Sequence, residues 1–165
     1  MIILGLDPGT AITGYGIINA QADRYYLMEY GCLRTSAQDS TADRLERLYD
    51  DLRQLLATNP PDQVAIEQLF FNRNTTTAVP VGQARGVLLL ACNQSKIPIS
   101  EYTPLEVKQA LTGYGLADKQ QIQYMVAKLL KLSESPKPDD AADALAIAIT
   151  HAHYYRGRQL RGEIK

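Results

Sequence analysis

The sequence predicts an α/β protein: one domain, built on a mixed five-stranded sheet with helices packed against it. Three observations carry that expectation. The chain begins with three β-type runs joined by short turns, which reads as an antiparallel meander. From Thr41 the apolar residues recur at three-and-four spacing, the period of an amphipathic helix. Beyond that helix short strands alternate with helices, the order that produces a mixed sheet flanked by helices. With 165 residues, 45% of them hydrophobic, the chain can fill one core and falls short of two.

Ile2 to Asp7, Tyr15 to Ile18, and Tyr25 through Leu33 form the meander. Leu45, Leu48, Tyr49, Leu52, Leu55 and Leu56 lie on one face of the first helix, which ends before Asn59-Pro60-Pro61. Val64 to Glu67 is a short fourth strand, Val81 to Asn93 a second helix, and Ile97 to Tyr102 a fifth strand. Leu105 to Leu111 reads as a short helix. After the Gly113-Tyr114-Gly115 loop, Asp118 can cap a helix that carries Ile122, Met125, Val126, Leu129 and Leu130 on one side, with Gln121 completing a capping box. Pro136 and Pro138 precede the last helix, Asp139 to about His153.

Composition excludes several classes. No apolar run approaches the roughly 20 residues of a spanning helix, and the N-terminus lacks a basic segment followed by a long apolar one, so a soluble, cytoplasmic protein is expected. Cys32 and Cys92 make neither a disulfide framework nor a metal cluster and read as reduced thiols in apolar surroundings. A net charge of −1 argues against nucleic-acid binding unless basic residues are gathered on one face.

The acids show a pattern. Asp7 ends the first strand and Glu67 the fourth, each after an apolar run, while Asp140 and Asp143 share one face near the start of the last helix. Three elements could therefore converge on one acidic cluster. Clustered carboxylates resist ionising together, so such a site points to divalent cations, and all-oxygen ligands favour Mg²⁺ or Mn²⁺ over zinc. The chemistry that fits is in-line phosphoryl displacement. Each acid also has a plainer explanation. Asp7 before Pro8-Gly9 can start a turn, Glu67 can be a solvated strand end, and Asp139, Asp140 and Asp143 suit a helix N-terminus, with Asp140 and Asp143 as a capping pair. His151 and His153 read as cations complementing the end of the last helix.

Several longer motifs occur in order: DPG followed by TGYG, AIEQLFFNRNTTTA, GQARG, VK followed by TGYGLADKQQIQ, and DAADALAIAITHAH. From Ile2 to about Tyr155 the chain resembles the RuvC family of bacterial Holliday junction resolvases. That resemblance implies a ribonuclease-H-like fold over residues 1–155, Mg²⁺-dependent cleavage of four-way DNA junctions by paired nicks, a homodimer, and cooperation with the RuvA and RuvB branch-migration proteins. By matching position it places the catalytic, metal-binding carboxylates on Asp7, Glu67, Asp140 and Asp143, whereas Asp139 has no counterpart. It puts Lys108 and Lys119 near the site, where they could hold phosphates, and Phe70 and Arg73 in a loop that could meet DNA, with Phe70 stacking on a splayed base. Phe71 could equally tuck into the core. The basic tail, residues 156–165 with Arg156, Arg158, Arg161 and Lys165, lies outside the resemblance. Three other readings remain: a related nuclease acting on RNA–DNA hybrids or another branched DNA, an ATPase of the actin or sugar-kinase type suggested by DPGT, and a binding module without catalysis.

Overall fold

The structure, a computed structural model, describes residues 1–68 and 75–164, and of residues 75–77 the backbone alone. In chain order the elements are β1 (Ile2–Asp7), β2 (Ile12–Gln21), β3 (Arg24–Arg34), α1 (Thr41–Thr58), β4 (Gln63–Glu67), α2 (Thr75–Gln94), β5 (Ile99–Tyr102), α3 (Pro104–Thr112), α4 (Lys119–Leu129) and α5 (Asp139–Leu160). The strands form one sheet in the order β3-β2-β1-β4-β5. β1, β2 and β3 pair antiparallel, and β4 and β5 join parallel to β1. This is the mixed sheet the sequence predicts.

Side chains alternate along a strand, and each face of the sheet takes its own layer of helices. On one face Leu4, Leu6, Val64 and Ile66 pack with Leu48 and Leu52 of α1 and Leu88 of α2. On the other, Ile3, Ile18 and Ala65 pack with α3, α4 and α5. Asp7 stands four residues beyond Ile3 and Glu67 two beyond Ala65, so both acids point to the α5 side.

α5 is buried nearly all round from Ala141 to Ala152, because the sheet lies beneath it and α3 and α4 lie over it. It approaches the sheet at backbone distance. A Cβ on Gly5 would stand 2.0 Å from the Ala144 carbonyl oxygen, and one on Gly14 would stand 2.0 Å from that of Asp140. Glycine in the strands and alanine in the helix are what allow this approach.

The capping predicted at Asp118 is present: its side chain accepts from the Gln121 N–H, and the Gln121 side chain returns the bond to the Asp118 N–H. A second capping box, Thr103 with Glu106, starts α3. Other boundaries move. β2 is longer than Tyr15 to Ile18 because it pairs on both sides, and its glycines, poor strand formers, face α5. α2 begins at Thr75 and carries Pro80 inside it, ahead of the expected start at Val81.

α5 also runs on to Leu160, so Arg156 and Arg158 are helical residues. That corrects the reading of the histidines. Neither stands in the last turn, and His151 is fully buried with its Nδ1 2.9 Å from the Tyr102 hydroxyl. Burial, then the nearby Arg158 guanidinium, lowers its pKa to about 4, so it packs as a neutral ring.

Candidate active site

The pairing register sets the acids side by side. Leu6 of β1 is opposite Ile66 of β4 in a parallel pair, so Asp7 and Glu67 leave adjacent strand ends in the same direction. Asp7 is also paired with Gly14, and the Asp140 backbone rests on Gly14, which lays the first turn of α5 across the ends of β1 and β2. Asp143 follows one turn later, beside Glu67, in a cleft of about 220 Å³ that Lys108, Lys119, Val107 and Ile122 also line. A space that small cannot enclose a nucleotide, but it suits a phosphodiester laid across its mouth.

The electrostatics follow from this placement. Burial, followed by repulsion from Glu67, Asp143 and Asp140, pushes the Asp7 carboxyl up to about 8, with Lys119 pulling the other way. Glu67 is raised by burial and then by Asp143, and Asp143 by burial against the opposing hydrogen bond from Lys119. Burial pulls the Lys119 ammonium down, but hydrogen bonds to Asp139 and Asp143 outweigh it and raise its pKa. Its Nζ stands 3.1 Å from Asp139 Oδ2 and 3.2 Å from Asp143 Oδ2.

The plainer explanations of the acids fare unevenly. The turn after Asp7 is closed by Thr13, whose hydroxyl donates to the Gly9 carbonyl at 2.7 Å and accepts from the Gly9 N–H. Glu67 is half-buried at the end of β4. α5 has Pro138 at its N-cap with no side-chain capping bond, so Asp140 and Asp143 do not act as a capping pair.

The donor set fits a hard divalent cation, being carboxylate oxygens held close in a half-buried site where their charges are poorly compensated. Among the described residues no three such side chains already stand close enough to cage an ion.

Of the remaining expected residues, Lys108 lines the cleft. Phe70, Phe71 and Arg73 lie outside the described residues. The basic C-terminal stretch is far away: Arg158 is 18 residues beyond Asp140 on one helix, about 27 Å along its axis. Arg156 there pairs with Asp23, and Arg161 with Glu163. Arg85 of α2 is a residue that sequence reasoning missed. Its Nε donates to the Glu67 carbonyl oxygen at 3.2 Å while its other end pairs with Glu101, so it fixes the strand end that presents Glu67. The only signal for it was its place in GQARG. Cys32, also unassigned, sits half-buried beside Asp140 and Asp7, its thiol raised by burial and then by Asp140.

A mixed five-stranded sheet in this order, flanked by helices on both faces, is the ribonuclease-H-like fold. Residues 3–151 match the family described as crossover junction endodeoxyribonuclease RuvC, and the chain belongs to that family of metal-dependent, Holliday-junction-resolving endonucleases. A crossover junction endodeoxyribonuclease RuvC of Desulfitobacterium hafniense is 60% identical over 153 residues, 93% of each chain. The Thermus thermophilus RuvC structure superposes with a TM-score of 0.88 at 38% identity, covering 95% of this chain and 96% of that one. A structure of T. thermophilus RuvC in complex with Holliday junction substrate also gives a TM-score of 0.88, at 35% identity and the same coverage.

Proposed function

We propose that Asp7, Glu67, Asp140 and Asp143 bind Mg²⁺, or Mn²⁺ in its place, and that the enzyme uses them to cut four-way DNA junctions by paired, symmetric nicks in recombination and repair. The observation that carries this reading is the register that sends Asp7 and Glu67 off adjacent strand ends in one direction, with the first turn of α5 laid across them at Gly14. Bound there, the ion supplies Lewis acidity to the attacking water and the leaving oxygen. The chain's own residues do the rest. Glu67 is held in place through Arg85, and the α5 acids are fixed by the backbone contact of that helix with Gly5 and Gly14. Lys119 and Lys108 place positive charge on the cleft wall, where a scissile phosphate would gain negative charge. Phe70 and Arg73, three and six residues beyond Glu67, would meet the DNA next to the cut.

Two nicks need two sites, so the working unit would be a homodimer. α2 supports that. Val79, Gly86 and Leu90 fall on one helical face open to solvent, Val79 at 66% and Leu90 at 50% exposure, and a Cβ on Gly86 would meet nothing within 4 Å. A second α2 could approach such a face closely. The family further implies a cytoplasmic enzyme working with RuvA and RuvB. Among the described residues no helix is long and apolar enough to cross a membrane.

A synthetic four-way junction and a linear duplex of the same sequences, each with and without Mg²⁺, test the reading. Paired symmetric nicks in the junction alone, dependent on Mg²⁺ and lost in Glu67→Gln and Asp143→Asn while junction binding survives, are expected. Normal nicking by either variant would remove that residue from the site.

A further inference from the structure

Lys119 and Gln123 are one turn apart on α4, and Asp139 and Asp143 one turn apart on α5, where the two helices face each other. Each Asp139 oxygen has its own donor: Gln123 Nε2 reaches Oδ1 at 3.0 Å, and Lys119 Nζ reaches Oδ2 at 3.1 Å. The same ammonium reaches Asp143 at 3.2 Å. Asp139 is exposed, falls outside the four carboxylates that the family resemblance matches, and is absent from the charges that raise Asp7.

We propose that Asp139, braced by Gln123, is a positioning residue that keeps Lys119 at the mouth of the cleft. The inference rests on the site reading given above. Lys119 carries its charge on a four-carbon stem with many rotamers, and it is useful to a phosphate only if it is already in place. Asp143 alone cannot hold it there, because a cation that takes Asp143 competes with the ammonium for the same carboxylate. Asp139 stands outside the cluster, so its hold on Lys119 survives that competition. Gln123 is neutral, so it fixes the Asp139 rotamer without competing for the lysine.

The test compares Asp139→Asn, Asp139→Glu, Lys119→Met and the double variant Asp139→Asn/Lys119→Met in the full-length protein. Single-turnover nicking of a four-way junction in Mg²⁺ is measured beside junction affinity without metal and the NMR order of the Lys119 ammonium in the metal-free protein. Asp139→Asn should slow nicking by about threefold to fivefold, the scale an exposed ion pair sustains, with junction affinity unchanged and Lys119 less ordered. Asp139→Glu should restore most of the rate. The double variant should nick no more slowly than Lys119→Met. If the two substitutions multiply, if Asp139→Asn leaves rate and Lys119 order unchanged, or if Lys119→Met nicks like the unaltered protein, the positioning role is overturned. Failure of the site reading looks different, since Asp7→Asn would then still nick.

Discussion

Replacing Asp7 by asparagine should abolish cleavage and yet make the metal-free protein more stable. In the unfolded chain this carboxyl loses its proton near 3.8, whereas in the folded protein burial, followed by Glu67, Asp143 and Asp140, keeps it protonated up to about 8. Between those values the unfolded state has released a proton that the folded state retains, so stability declines as pH rises from about 4 to about 8. At pH 7 the solution lies roughly 3 units above the unfolded value, and at about 1.4 kcal/mol per unit the cost is about 4 kcal/mol. Asparagine has nearly the shape of the neutral acid and never ionises, so it removes most of that cost. Glu67 and Asp143 are raised too, so some slope persists in the variant. Urea unfolding of both proteins from pH 5 to pH 8, without metal and with Mg²⁺, measures the effect. The curves should already differ by about 1.7 kcal/mol at pH 5 and separate further toward pH 8, with Mg²⁺ stabilising the unaltered protein more than Asp7→Asn. Parallel pH curves, or a variant less stable than the parent at pH 8 without metal, would refute the electrostatic reasoning.

Two further outcomes follow from the packing of α5. Gly14→Ala puts a methyl where the Asp140 carbonyl lies 2.0 Å away, so α5 must lift from β2; nicking should fall sharply, with a stability loss of about 1–3 kcal/mol in urea unfolding. Nicking at the normal rate would show that the site does not depend on this approach. His151, with its folded pKa lowered to about 4 against 6.5 unfolded, should weaken the fold by up to about 3 kcal/mol as pH falls from 6.5 to 4, because only the unfolded chain takes up the proton. Its imidazole should therefore remain neutral by NMR at pH 5.5, and a protonated ring at that pH would refute the prediction.

Much of the fold was legible because its signals are local. The three-and-four spacing of Leu45 to Leu56 and the Asp118–Gln121 box depend on neighbours in sequence, and the structure keeps them both. The end of the last helix was not legible. Arg156 and Arg158 read as part of a basic tail beyond a helix expected to end near His153, yet α5 carries them both, Arg156 pairs with Asp23 on the β2–β3 turn and Arg158 lies against Tyr102 of β5. Such partners are distant in sequence. The same holds for His151, whose burial depends on Tyr102, 49 residues earlier in the chain.

The site divides along the same line. Asp7 and Glu67 could be seen from the sequence because an acid closing an apolar strand breaks the local pattern, and two such breaks invite a common cause. What holds the acids together could not be seen. Four carboxylates repel one another, so the fold has to bring them close against an outward force, and a flexible frame would relax it by moving apart. The resisting contacts are Ala144 on Gly5, Asp140 on Gly14, Arg85 on the Glu67 carbonyl, and Lys119 between Asp139 and Asp143. The first two join α5 to the opening strands at the other end of the chain, the last two join neighbouring elements, and each uses residue types that are unremarkable in isolation. A glycine in a strand, an arginine in a helix or an aspartate at a helix start has many ordinary reasons to be there. They become part of the site only when the repulsion they oppose is recognised, because a cluster that destabilises the metal-free protein needs a rigid surround to persist until a cation neutralises it.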